Sequence, residues 1–394
     1  MLPTYFEFQN AVKLLCGDSA LSRMADELRH LGAERPLLLT DAVLAKIGTA
    51  ALAERALAEE GCPAVGVFSE IPVDSSLAVV NRIASLYRDM GADALVAVGG
   101  GSVIDTAKGV RLVLSQEASD LLTLAGVENL NRGRHIPFIV VPTTAGTGSE
   151  CTGVAVIRHD VTQVKMEFLS PFVEPDVAVL DPQMTQGLPP SPTAGTGFDA
   201  LCHAVESATC LQANPLSTAY ACAAMRLIMQ NLERAVVSGK DREARCAMAL
   251  ASTMAGIAFS NSMVGLVHAI GHALGGVCHV PHATAMMILL PHVMRYNLGR
   301  ADEAYAALLP HLIGMDAALG VAPAQRAQAA VEAIESLAQR LAALAKLPLR
   351  LREVGVEREQ FARVAELAVN DGSIIVNPRA ADETRIEAIL ESAY

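Results

Sequence analysis

The sequence predicts an α/β domain followed by an all-helical domain, and three observations carry that prediction. Up to residue 186, short apolar runs alternate with amphipathic helical patterns, the alternation expected of a parallel sheet with crossover helices. Gly187-Leu-Pro-Pro-Ser-Pro192 then breaks all regular structure, which places the boundary between domains of 1–186 and 187–394. Beyond Thr193 the periodicity is helical throughout and no convincing strand follows.

In the first domain, Arg35-Pro-Leu-Leu-Leu-Thr-Asp41 reads as a strand ending in an acid, and Val65-Gly-Val-Phe68 as a second, followed by the turn-rich 71–76. Residues 77–90 form a helix with Leu77, Val80, Ile83, Ala84 and Tyr87 on one side. Ala94-Leu-Val-Ala-Val98 is a buried strand that runs into Gly99, Gly100, Gly101 and Ser102. Val103, Ile104, Ala107, Val110 and Leu114 follow at helical spacing, so this is a strand-to-helix turn whose free amides make an anion site. Its glycines let a pyrophosphate approach the backbone, and Ser102 is expected to cap the helix and donate. It is not Gly-x-Gly-x-x-Gly, so an ordinary tight turn stays open as the alternative. Pro137-Phe-Ile-Val-Val-Pro142 is a further strand, and it leads into a second small, hydroxyl-rich loop, Thr143 to Glu150. Open α/β sheets bind ligands at the carboxyl ends of their strands, so two such loops favour a nucleotide. Pro175-Asp-Val-Ala-Val-Leu-Asp181 is one more strand.

In the helical half, Cys246 to Met294 holds no Asp, Glu, Lys or Arg, yet it contains His268, His272, His279, His282 and His292, half of the chain's 10 histidines. Burying imidazole is costly without a partner. His268 and His272 are four residues apart and so share a helix face, about 6 Å apart along the axis. His282 follows Pro281, where regular structure must end or restart. Asp199 and His203 repeat the i,i+4 arrangement, and one Asp with several neutral imidazoles suits Fe(II) or Zn. The plainer alternatives are that Asp199, His203 and Glu206 form the solvated face of a helix, and that each buried histidine is a hydrogen-bonded core residue. Ala269 stands where a His-Glu-x-x-His zinc protease needs its base.

Composition narrows the classes. At 394 residues the chain is long enough for two domains with a well-buried core. The hydrophobic fraction is 52% and the mean hydropathy +0.35, but residues 246–267, the one serious candidate span, carry Ser252, Thr253, Ser260, Asn261 and Ser262 and read as a core helix. No secretory signal is visible at the N-terminus. A net charge of −12 argues against a nucleic-acid or anionic-membrane surface. The 8 cysteines, with no Cys-x-x-Cys among them, read as reduced thiols of a cytoplasmic protein.

Gly99-Gly-Gly-Ser-Val-Ile-Asp105-Thr-Ala-Lys108, Pro142-Thr-Thr-Ala-Gly-Thr-Gly-Ser-Glu150, Gly197-Phe-Asp199-Ala-Leu-Cys-His203-Ala-Val-Glu206 and Gly265 to His282 together resemble the iron-containing (group III) alcohol dehydrogenases, in order and over nearly the whole chain. The tail from Asn370 to Arg379 resembles that family's ending. The resemblance implies a dinucleotide-binding α/β domain, an all-α metal-binding domain of dehydroquinate synthase-like architecture, and a catalytic cleft between them. It implies metal ligation by Asp199, His203, His268 and His282, with His272 near the substrate and His279 and His292 structural. It puts Asp41, Asp74, Thr143, Thr144, Thr147, Thr152 and Lys165 with the glycine turn at the cofactor. Asp74 and Cys151 depart from the residues usual there, Asn and Val.

The function expected from these parts is hydride transfer between NAD(H) and a small alcohol or aldehyde. Fe2+, or alternatively Zn2+, would polarise the substrate oxygen, and His272 would serve as the general base. NAD is expected in preference to NADP because Asp41, at a strand's end, would accept from the ribose hydroxyls and repel a 2′-phosphate, unless it merely caps the next turn. A homodimer is expected from the apolar N-terminal stretch and the resemblance. Two rivals remain: a dehydroquinate synthase-like lyase, which needs cationic side chains that 246–294 lacks, and a non-catalytic NAD- or metal-binding module.

Overall fold

The computed structural model describes residues 4–126, 132–162 and 165–394. The chain divides into two compact units, Asn10–Leu188 and a helical unit of Met1–Gln9 with Pro189–Tyr394. Sequence reasoning put the division two residues earlier and assigned the N-terminal stretch to the α/β domain. That stretch groups with the helices because Gln9 N donates to Asn261 Oδ1 (2.7 Å), Asn261 Nδ2 donates to Gln9 O (3.0 Å), and Phe8 stacks on Tyr220 at 5.8 Å. Residues 1–3 of it lie outside the described residues.

The α/β unit carries β1 (Lys13–Cys16), α1 (Met24–His30), β2 (Pro36–Leu39), α2 (Ala42–Lys46), α3 (Thr49–Glu59), β3 (Gly66–Phe68), α4 (Leu77–Asp89), β4 (Ala94–Gly99), α5 (Gly101–Ser115), β5 (Phe138–Pro142), β6 (Val154–Arg158), β7 (Lys165–Leu169) and β8 (Val177–Leu180). Six strands make one parallel sheet in the order β1-β8-β5-β4-β2-β3. Every residue of β2, β4, β5 and β8 is buried, as a sheet covered on both faces requires. Leu38, Val96, Val98, Ile139, Val141, Val177 and Val179 pack with Met24, Leu28, Ala53 and Leu57 of α1 and α3 into one apolar cluster. Sequence reasoning missed β1 and the antiparallel hairpin β6–β7: β1 and β7 have half-exposed, mixed patterns, and β6, whose Val154-Ala-Val-Ile157 is an apolar run, was not read as a strand.

The helical unit contains α6 (Pro190–Thr209), α7 (Pro215–Val237), α8 (Arg242–Ser260), α9 (Leu266–Cys278), α10 (His282–Asn297), α11 (Asp302–Ile313), α12 (Met315–Leu319), α13 (Arg326–Ala345), α14 (Phe361–Val369) and α15 (Glu383–Ala393). α6 packs against α7, α8 and α10 and is buried almost throughout from Thr193 to Thr209. Asp199, His203 and Glu206 are only 2%, 5% and 6% exposed, which rules out the solvated-face reading of that segment. Among the described residues no helix is long and apolar enough to cross a membrane.

Candidate metal centre and nucleotide turn

α6, α9 and α10 bring the centre together. Asp199 and His203 sit one turn apart on α6, His268 lies in the first turn of α9, and His282 is the first residue of α10. α9 ends at Cys278, the chain turns through His279 in the left-handed region (φ 56°), and Pro281 precedes the restart. This short connection places His282 opposite His268, ring centroids 5.4 Å apart.

Asp199 Oδ1 is the focus. The Nε2 atoms of His282, His268 and His203 lie 3.5, 3.8 and 4.0 Å from it. One donor atom from each of Asp199, His268 and His282 lies within 4.8 Å of the other two. His203 flanks this trio, its ring stacked on His268 at 4.7 Å and on Phe259 at 4.4 Å. Although fully buried, neither Asp199 Oδ1 nor His268 Nε2 has a hydrogen-bond partner among the described residues. Two buried orphan atoms facing one another would be costly in a purely structural cluster. They fit a divalent cation, for which a carboxylate and imidazole nitrogens are the expected donors. Burial works against the Asp199 charge, but the imidazoles of His203, His282 and His268 outweigh it and hold the carboxyl well below the usual carboxylate range.

Two carboxylates that sequence reasoning did not use stand behind the rings. Glu206 Oε2 lies 2.5 Å from His268 Nδ1, and Asp371 Oδ2 lies 2.8 Å from His272 Nδ1. Glu206 follows His203 by three residues and so shares its helix face. The tail segment around Asp371 carried a signal only through the resemblance. His272 is half-exposed, its ring 5.6 Å from that of His282 and outside the trio. His279 is exposed, and His292 Nδ1 shares a hydrogen bond with Ser392 Oγ at 2.8 Å.

In the α/β unit, β2 is followed by a neighbour on one side, β3, and β4 by a neighbour on the other, β5. The adjacent carboxyl ends of β2 and β4 therefore form a topological switch point. Asp41 and the turn Gly99–Ser102 flank it. The hydroxyl loop after β5 closes on the same turn: Thr143 N donates to Gly99 O at 3.0 Å, and Thr152 Oγ1 accepts from the buried Lys108 Nζ at 2.9 Å. A Cβ at Gly100 would stand 3.2 Å from Thr144 Oγ1, and one at Gly101 3.0 Å from Thr147 Cγ2, so the bare backbone is what admits the threonines. The N-terminus of α5 has no side-chain cap. This corrects the expectation for Ser102, which lies inside the first turn, where its hydroxyl accepts from Asp74 N at 3.3 Å. Asp74 is itself in the left-handed region (φ 53°) and pairs with Lys165 Nζ at 2.7 Å. Asp41 Oδ1 caps α2 by accepting from Leu44 N at 2.8 Å, and among the described residues nothing else bonds that carboxylate. A bare glycine turn, unspent helix amides and a carboxylate at the switch point fit a dinucleotide.

Comparison with known proteins agrees in both units. Residues 11–182 match the family model described as iron-containing alcohol dehydrogenase, and residues 193–394 the model of the C-terminal part of the Fe-containing alcohol dehydrogenase family. The chain is 37% identical to the 1,3-propanediol dehydrogenase of Klebsiella pneumoniae over 380 residues, 96% of each chain. It is 34% identical to the NAD-dependent methanol dehydrogenase of Bacillus methanolicus over 377 residues, 96% of this chain and 97% of that one. The crystal structure of a 1,3-propanediol oxidoreductase superposes with a TM-score of 0.93 at 36% identity, covering 99% of this chain and 100% of that one.

Proposed function

The chain belongs to the iron-containing alcohol dehydrogenase family, and from that premise we propose how its own residues carry out the family's chemistry. It is a metal-dependent oxidoreductase that transfers a hydride between NAD(H) and a small alcohol or aldehyde. Asp199, His203, His268 and His282 hold the divalent ion. The single observation that carries this assignment is the pair of buried, unbonded atoms Asp199 Oδ1 and His268 Nε2, with His282 Nε2 also facing that oxygen. When bound, the ion polarises the substrate oxygen and the nicotinamide takes the hydride.

His272 moves the proton. Its Nδ1 is engaged by Asp371, so Nε2 is the atom left to accept from the substrate hydroxyl. The amides of Gly100, Gly101 and Ser102 receive the pyrophosphate, with Thr143, Thr144, Thr147 and Thr152 lining the same turn. Asp41 accepts from the adenosine ribose with the oxygen that the α2 cap leaves over, which disfavours NADP. Asp74 and Lys165 neutralise one another beside the turn. None of the 8 cysteines forms a disulfide, which supports a reducing, cytoplasmic setting. Tyr5 and Phe6, 76% and 40% exposed on the N-terminal stretch, support a homodimer that covers them.

The test is direct. Purified protein with NAD and a panel of short alcohols, and with NADH and the matching aldehydes, is followed by NADH absorbance. Turnover should vanish on chelation and return with Fe2+ or Zn2+. A metal-replete protein that turns over no alcohol or aldehyde would refute the reading.

A further inference from the structure

α9 has no cap of its own. Gly265 stands at the capping position without a side chain, and its first amides are met from elsewhere: Asn377 Oδ1 accepts from Leu266 N at 3.4 Å, and Glu206 Oε1 accepts from Val267 N at 2.7 Å. The other oxygen of Glu206, Oε2, takes His268 Nδ1 at 2.5 Å. Both oxygens of one buried α6 carboxylate are thus spent on two consecutive residues of α9. The fit leaves little slack, since a Cβ at residue 265 would stand 3.1 Å from Glu206 Oε1 and 3.2 Å from Asn377 Oδ1.

The chemistry follows from the donor inventory. An ionised carboxylate only accepts, so the His268 proton must sit on Nδ1, and in the neutral ring Nε2 is then a lone pair. Nε2 is the atom that faces Asp199 Oδ1 at 3.8 Å and has no partner. Asp199, His203 and Glu206 occupy positions i, i+4 and i+7 of α6, one face of one rigid helix.

We propose that Glu206 is a positioning residue of the metal centre: it locks His268 in the Nδ1–H tautomer and ties the first turn of α9 to α6, so that Nε2 is presented to the ion alongside Asp199. This rests on the metal-centre reading above. A glutamine at 206 cannot do both jobs. If its oxygen keeps the Val267 amide, its NH2 faces Nδ1, the ring proton moves to Nε2, and ligation is blocked. If the amide is turned over, the α9 cap is lost.

The full-length protein, stripped of metal, is titrated with Zn2+ against a competing chelator, with thermal melting of the metal-free form in parallel. The parent should bind one ion. Glu206→Gln should bind about 10–100-fold more weakly, the range seen when a histidine ligand loses its outer hydrogen-bond partner. Asn377→Ala, which removes the other α9 acceptor and leaves His268 alone, should lower the melting temperature while changing the Zn2+ affinity little. Equal affinity in Glu206→Gln and parent overturns the proposal alone, as does an equal loss in Asn377→Ala, which would make the role structural. A parent that binds no ion overturns the metal-centre reading with it. Should Glu206→Gln fail to fold, NMR of the histidine ring nitrogens of the parent decides: a His268 proton on Nε2 refutes the proposal, and one on Nδ1 upholds it.

Discussion

His272, on the exposed side of α9, donates from Nδ1 to Asp371 Oδ2 at 2.8 Å, a carboxylate from the tail of the chain. Partial burial would raise the pKa of Asp371, but the His272 hydrogen bond and charge, with the Ser373 amide, outweigh it and hold the pKa down to about 2. Asp371 therefore stays ionised at any ordinary assay pH and holds the imidazole proton on Nδ1, which leaves Nε2 as the acceptor.

From this pairing, His272→Ala should retain metal and NADH binding but lose kcat by about 10²–10⁴-fold, the range for a missing acid–base group. Asp371→Asn should cause a smaller loss in the same parameter. Near-normal kcat in His272→Ala across neutral pH would remove it from the proton path.

Ligand substitutions separate the histidines. His268→Ala and His282→Ala should lose bound metal by elemental analysis, whereas His279→Ala, which alters only the exposed turn between α9 and α10, should keep it. Full occupancy in His268→Ala would contradict the assignment. Anaerobic reconstitution with Fe2+ and with Zn2+, comparing kcat, identifies the working ion, since the donor set accepts both.

Asp41 is expected to set cofactor choice. Asp41→Gly should weaken NAD binding and raise the relative kcat/KM for NADP. Stability should change little, because glycine in place of a capping Asp costs only a few tenths of a kcal/mol. Equal catalytic efficiency of the unmodified enzyme with both cofactors would show that Asp41 does no more than cap α2.

Acid sensitivity should trace in part to His292. Its burial, reinforced by Arg295 and Arg350, lowers its pKa from 6.5 to about 4. The unfolded chain therefore binds the proton first, so folded stability is full above pH 6.5 and falls as the pH drops towards about 4. With discounting for its partial exposure, the loss is about 1–2 kcal/mol. Urea titrations at stepped pH should show that dependence flattened in His292→Gln, and an unchanged slope would exclude it.

Assembly is testable by light scattering. A particle of about twice 41.4 kDa at micromolar concentration is expected, and one of 41.4 kDa would refute the dimer.

What the sequence alone determined was whatever is periodic or local. The strands β2, β3, β4, β5 and β8 were legible because each is a short apolar run between turn signals, and the long helices because their apolar positions recur at helical spacing. The spacing of Asp199 with His203 and of His268 with His272, the break at Pro281 and the bare glycine turn were local too, which is why candidate residues could be named. Packing decided the rest. Only the junction of α6, α9 and α10 brings Asp199, His268 and His282 to one point, and only burial distinguishes Glu206 from a solvated helix residue. Asp371 reaches His272 across 99 residues of chain, a separation no window of periodicity spans. The same holds at the glycine turn, where strand order and not spacing sets Asp41 beside Gly99–Ser102, and where the hairpin β6–β7 supplies Lys165 to Asp74. Side-chain spacing is written along the chain, but a ligand set and its supporting carboxylates are defined by distances between elements, which exist only once the core has closed.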